Sequence, residues 1–153
     1  MEFIIIGALV LLVVFAVGQY NRLIRLNIQV DEAFAQIEVQ LKRRADLIPN
    51  LVETVKGYAA HEQSTFDAVV AARAKSTSAS TVADVAAADG ALTNALRGLL
   101  AVAEAYPDLK ASANFLSLQE ELSTTENKVS FSRQFYNDTV RALNTAVATV
   151  PTN

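Results

Sequence analysis

Hydrophobic positions divide the chain into one segment that is apolar on every side and several that are apolar on one side only. From Phe3 to Asn21 there is no charged side chain, and Phe3–Gly18 reads FIIIGALVLLVVFAVG. At 1.5 Å per residue this run makes a helix of roughly 28 Å, close to the ~30 Å hydrocarbon core of a bilayer. Beyond it, Tyr20, Leu23/Ile24, Asn27, Val30, Phe34, Ile37, Leu41 and Arg44/Ala45 recur every three or four residues. One helix is predicted from about residue 2 to 46, apolar all round in its first half and striped in its second. Ile48-Pro49 predicts a break or kink, because proline disfavours helix in the residue before it and suits the first turn of the next. A second helix, 49–74, carries Leu51/Val52, Val55, Tyr58/Ala59, Phe66 and Val69/Val70.

Lys75–Thr81, KSTSAST, is a small polar run expected to form a mobile loop. Thr81-Val82-Ala83-Asp84 resembles a capping box that opens a third helix, 82–106, with Val85, Leu92, Leu96, Leu99 and Val102 on its stripe. Gly90 and Gly98 lie inside that helix. Each costs about 1 kcal/mol against alanine, and close packing is one reason to keep them. In the last segment Phe115, Leu122, Val129, Tyr136, Leu143 and Val150 are spaced by seven, as are Leu118, Thr125, Ser132, Thr139 and Ala146. One row is large and the other mostly small. That predicts a long helix, about 113–150, packed within an antiparallel bundle rather than a parallel two-stranded zipper.

The expected fold class is therefore all-α. An N-terminal transmembrane helix runs on into a long helix of an elongated antiparallel four-helix bundle. The anchor occupies 1–21 and the bundle domain 22–153, with helices at about 22–46, 49–74, 82–106 and 113–150.

A cleavable signal peptide is the competing reading of the N-terminus. Ala16-Val17-Gly18 resembles a cut site, but the n-region is only Met1-Glu2 and has no lysine or arginine. A retained anchor is the better fit. Arg22 and Arg25 follow the span, so the positive-inside rule puts the C-terminal domain in the cytoplasm and the N-terminus outside. The span has no ionisable residue, the usual mark of an ion or proton path, and no G-x-x-x-G dimer motif.

Composition narrows the chemistry. The chain has no cysteine, which removes disulfides, thiolate nucleophiles and cysteine metal sites. Net charge is −3, and no cluster is basic enough for a nucleic-acid footprint. His61 is the only histidine, so neither His-Glu-x-x-His nor Glu-x-x-His is present. No glycine-rich phosphate loop or evident Ser–His–Asp arrangement appears. No cofactor and no metal are expected, and no catalytic residue is assigned.

Several motifs together resemble one family. Tyr20-Asn21 follows the N-terminal span, and KRRADLIPNLV occupies Lys42–Val52. AEAYPDLKA occupies Ala103–Ala111, followed by Asn114-Phe115, then LQEEL at Leu118–Leu122. TENK stands at Thr125–Lys128 and R-x-x-YN at Arg133–Asn137. In this order, and over almost the whole chain, they resemble the LemA family of bacterial membrane proteins. The resemblance implies a single N-terminal transmembrane helix in the bacterial cytoplasmic membrane and an antiparallel helical-bundle domain. It implies little about mechanism. The domain is short, with little sequence after Pro151.

The candidate structural or partner-binding residues follow from these motifs and stripes: Arg43, Arg44, Pro49, Asn50, Glu104, Tyr106, Pro107, Asp108, Glu126, Arg133, Tyr136 and Asn137. Arg44, Glu104, Glu126 and Arg133 fall near apolar stripes. They read either as a charged ligand site between helices or as an ion-pair network that fixes register, and the network is preferred because partly buried charges are normally paired. Lys42-Arg43-Arg44 reads as a solvated face with a Glu38–Lys42 pair at i, i+4. Pro49-Asn50-Leu51 and Pro107-Asp108-Leu109 look like two copies of one turn, either plain helix starts or two corners of a partner surface.

The expected function is a non-enzymatic scaffold that contacts lipid through residues 3–20 and self-associates or docks other membrane proteins. The alternative is a tethered sensor or adaptor that binds a small or peptide ligand near Glu104, Glu126 and Arg133.

Overall fold

The computed structural model describes residues 1–149, so Val150 of the heptad row lies outside the described residues. The described residues form five helices: α1 (Glu2–Lys56), α2 (Gln63–Ser78), α3 (Val82–Glu104), α4 (Pro107–Lys110) and α5 (Ala113–Ala148). No strand occurs among them. The all-α class therefore holds.

The main departure from expectation is at Pro49, which lies inside α1 and does not break it. Proline has no N–H and its ring presses on the carbonyl four residues earlier, here that of Ala45. Ala45 is buried, and its carbonyl oxygen accepts a hydrogen bond from Arg73 Nε of α2 at 2.8 Å. A side chain from another helix thus supplies the donor that proline lacks. The predicted second helix, 49–74, is corrected accordingly: its first two turns belong to α1, and the break falls at residues 57–62, just after Lys56 and at Gly57. The Lys75–Thr81 loop is also shorter than expected, because α2 runs to Ser78. Thr77 Oγ1 donates to the Ala74 carbonyl at 3.0 Å and Ser78 Oγ to the Lys75 carbonyl at 3.2 Å, so these small polar side chains bond back into the last turn.

Pro107 takes the opposite role. Tyr106 is extended, at φ −118° and ψ 96°, and Pro107 begins α4. This is the geometry that the residue before a proline prefers. The N-cap half of the predicted capping box is present: Thr81 Oγ1 accepts from the Asp84 N–H at 3.1 Å, while the Asp84 carboxylate accepts from the Thr81 hydroxyl at 2.6 Å.

The chain divides into two compact units, one of Met1–Ile37 with the residues from Ser130 onward, the other Glu38–Val129. In the Glu38–Val129 unit one core draws on every helix. Ile48, Leu51, Val52 and Val55 come from α1, Phe66, Val69 and Ala72 from α2, and Leu92, Leu96, Leu99 and Ala103 from α3. Leu109 of α4 and Phe115, Leu118 and Leu122 of α5 complete it. Within this unit α1 and α5 run antiparallel: Arg44 bonds Glu126, while Thr54, further along α1, accepts from Asn114, earlier on α5. Lys56 Nζ lies 5.5 Å from the centre of the Phe66 ring, joining the end of α1 to α2.

In the other unit Ala33, Ile37 and Ala146 are buried, and the rings of Phe34 and Tyr136 meet with centroids 5.8 Å apart. Residues 1–18 are exposed on every face. Both heptad rows of α5 face inward along their described length, every member being buried or half-buried. Gly90 and Gly98 correct the packing idea, because a Cβ added at either would meet nothing within 4 Å.

Candidate functional site

The stripe of α1 carries one charged residue into the interior, Arg44, which is 2% exposed. Its neighbours Lys42 and Arg43 are exposed, so the basic triplet is split between solvent and core. Lys42 and Glu38 do not make the expected pair; both line an open groove with Asp46, Ser76 and Val85. Arg43 lines a shallow groove on the α5 side with Ser117, Glu120, Glu121 and Thr124.

Three side chains meet the Arg44 guanidinium. Nη1 donates to Asp89 Oδ1 at 2.6 Å and to Thr93 Oγ1 at 3.0 Å, both on α3. Nη2 donates to Glu126 Oε1 of α5 at 2.6 Å. The side chain of Asp89 is 7% exposed and that of Glu126 47%, so the cluster is closed on the α3 side and opens to water through Glu126. One cation therefore bridges two carboxylates from two helices. Charge-assisted hydrogen bonds of this length are the strong class, and arginine's planar fork suits such multipoint contact. Arg44 Nε is buried and has no hydrogen-bond partner among the described residues.

Sequence reasoning found Arg44 and Glu126 but missed Asp89 and Thr93. The signal for Asp89 was present, because Val85, Asp89, Leu92 and Leu96 share one helical row. A carboxylate on an apolar stripe marks a partner for a buried arginine as surely as the arginine does.

The structure does not bring the other candidates to this cluster. Glu104 is exposed and pairs with Lys110, across the α3–α4 turn. Arg133 is half-buried on α5 within the Met1–Ile37 unit, and Tyr136 of the same unit is half-buried against Phe34. Asn137 is exposed. Asn50 is exposed, and its carbonyl accepts from Thr54 Oγ1 at 2.8 Å. Tyr106 packs against the core, while Pro107 and Asp108 are exposed in the first turn of α4. The two Pro-x-Leu segments are therefore not two copies of one turn. Pro49 sits in a helix and Pro107 starts one, while Leu51 and Leu109 both reach the core.

The cluster is suited to holding helices in register more than to chemistry. The Nη1 donors of Arg44 are directed at Asp89 and Thr93, and neither carboxylate lies beside a histidine, His61 being exposed in the α1–α2 connection. Among the described residues no group of three or more His, Cys, Asp or Glu is placed to hold a metal ion.

One further feature is extended rather than clustered. α1 is the one helix among the described residues that is long and apolar enough to cross a membrane. Its most apolar 18-residue window has a mean hydropathy of 2.5 and is 0% buried within the chain.

Known proteins resemble this chain. The model of the LemA family matches residues 33–153. A curated relative, Protein LemA of Metamycoplasma hominis, is 27% identical over 138 residues, covering 90% of this chain and 63% of the relative. The chain thus spans somewhat less than two thirds of that relative's length.

Proposed function

Because the chain belongs to the LemA family, we propose that it is a non-enzymatic helical scaffold, anchored in the bacterial cytoplasmic membrane by its N-terminal helix, that self-associates or docks other membrane proteins. The observation that carries this reading is the apolar half of α1, which none of the other described residues covers. Burying a valine, leucine, isoleucine or phenylalanine side chain is worth about 1.5–3 kcal/mol, and residues 3–18 offer such side chains on all faces at once. Lipid is the solvent that meets that demand over a length of about 30 Å. Arg22 and Arg25, which follow the span, support a cytoplasmic side for the larger domain by the positive-inside rule. In this reading the helices beyond the anchor pack as an antiparallel four-helix bundle, with the Arg44 cluster fixing their register.

The separation of Glu104 from Glu126 favours this reading over a ligand site between helices. Glu104 is bound up with Lys110 at the surface, and Arg44 is already occupied by protein partners.

The test is the oligomeric state and partner content of the full-length protein in lipid nanodiscs, read by mass photometry and cross-linking. Defined oligomers, or stoichiometric co-purifying membrane proteins, are expected. A strictly monomeric protein without partners overturns the scaffold reading.

A further inference from the structure

We propose that Arg73 is a latch that keeps α1 continuous through Pro49, and that the outer turns of α1 are therefore under the control of α2. A proline in the interior of a helix normally kinks or ends it, for two reasons. It leaves the carbonyl four residues back without its N–H donor, and its ring pushes against that same carbonyl. In an exposed helix water takes the free carbonyl. Here Ala45 is buried at the edge of an open groove, with Arg44 and Ile48 beside it buried too, and a side chain meets the carbonyl in place of water.

Arg73 solves this from outside. It stands on α2, 28 residues away in sequence, is half-buried, and directs Nε at the Ala45 carbonyl oxygen at 2.8 Å. A guanidinium is always charged, and its hydrogen bond to a carbonyl is of the stronger, charge-assisted class compared with the backbone N–H hydrogen bond that it replaces. The position of Arg73 depends on α2, whose Phe66, Val69 and Ala72 sit in the same core as Leu51, Val52 and Val55 of α1. If α2 shifts, the latch leaves Ala45 and the joint at residues 45–49 is free to open. The segment beyond it, Pro49–Lys56, would then separate from the rest of α1 as a short helix. This is a conformational device: one side chain of α2 decides whether α1 is one helix or two.

The experiment is amide hydrogen exchange on the full-length protein in nanodiscs, with thermal melts in parallel, for wild type, Arg73→Gln, Pro49→Ala and the double variant. Arg73→Gln is expected to lower protection of the amides between 46 and 56 by roughly tenfold or more, a local opening, with smaller changes in α3. Pro49→Ala restores the missing N–H, so in its background Arg73→Gln is expected to change that protection little. The interaction between the two substitutions is the signature of the latch. Unchanged protection at 46–56 in Arg73→Gln overturns the proposal. An equal loss in both backgrounds does so too, because Arg73 would then be only a packing residue. If Arg73→Gln does not fold, folding of the double variant supports the latch and failure of the double variant contradicts it.

Discussion

Residues 3–18 and residues 33–55 lie in the same helix and are both rich in aliphatic side chains, yet they are solvated in opposite ways. The first stretch is exposed on every face. In the second, Ala33, Ile37, Leu41, Ala45, Ile48, Leu51, Val52 and Val55 are buried on one side while Glu38, Lys42, Asp46 and Glu53 stay in water. Hydrophobic content alone does not separate the two; the distribution around the helix axis does. A helix with one apolar stripe finds its cover within its own chain. A helix that is apolar all round needs lipid or a large interior, and here none of the described residues encloses it. The striped half can also carry a charge inward, as Arg44 does, because facing helices supply the partners.

The sharpest way to break this contrast is to charge the first stretch and spare the second. Val10→Arg with Val14→Arg, one turn apart near its middle, costs about 2.5–3.5 kcal/mol per arginine at the centre of a span. The expected outcome is loss of the protein from the membrane fraction, with the helical melting transition of the remainder retained.

The converse change is Arg44→Met, which removes the cation that Asp89 and Glu126 share. Breaking a buried pair costs about 3–5 kcal/mol, so denaturant midpoints should fall by that equivalent while membrane recovery is unchanged. Within the cluster the two carboxylates should differ. Asp89→Asn is expected to cost more than Glu126→Gln, because the Glu126 side chain is half in water. An exposed ion pair is worth about 0–1 kcal/mol. Equal effects in urea titrations would show that exposure does not grade these bonds.

The smallest expected effects are on the outer face of α3. Gly90→Ala and Gly98→Ala place a methyl group in open space on an exposed helix. Each should stabilise by about 0.5–1 kcal/mol, read as a rise in melting temperature. A fall would reveal a neighbour on that face.

What was legible in the sequence was what depends on near neighbours. The apolar run, the Thr81–Asp84 cap and the two seven-residue rows of α5 are short-range or periodic, and each is present. What was not legible depends on a partner far along the chain. Pro49 reads as a helix breaker until Arg73, 28 residues from Ala45, answers the freed carbonyl. Asp89 stands out as a charge on the α3 stripe, but its pairing with Arg44, 45 residues away, follows no spacing rule before the helices are docked. Glu104 differs from Arg44 for the opposite reason: one position next to the stripe is enough to turn a side chain outward, where its ion pair is with Lys110. The KSTSAST run was misjudged at its start because hydroxyls that usually favour turns also bond back to helical carbonyls.

The most direct test of the account is the fate of the full-length chain after alkaline carbonate washing of membranes, with the N-terminus of the recovered protein sequenced. The account predicts that the protein stays with the lipid and still begins at the apolar helix. Recovery in the wash, with a mature N-terminus at Gln19, would contradict it.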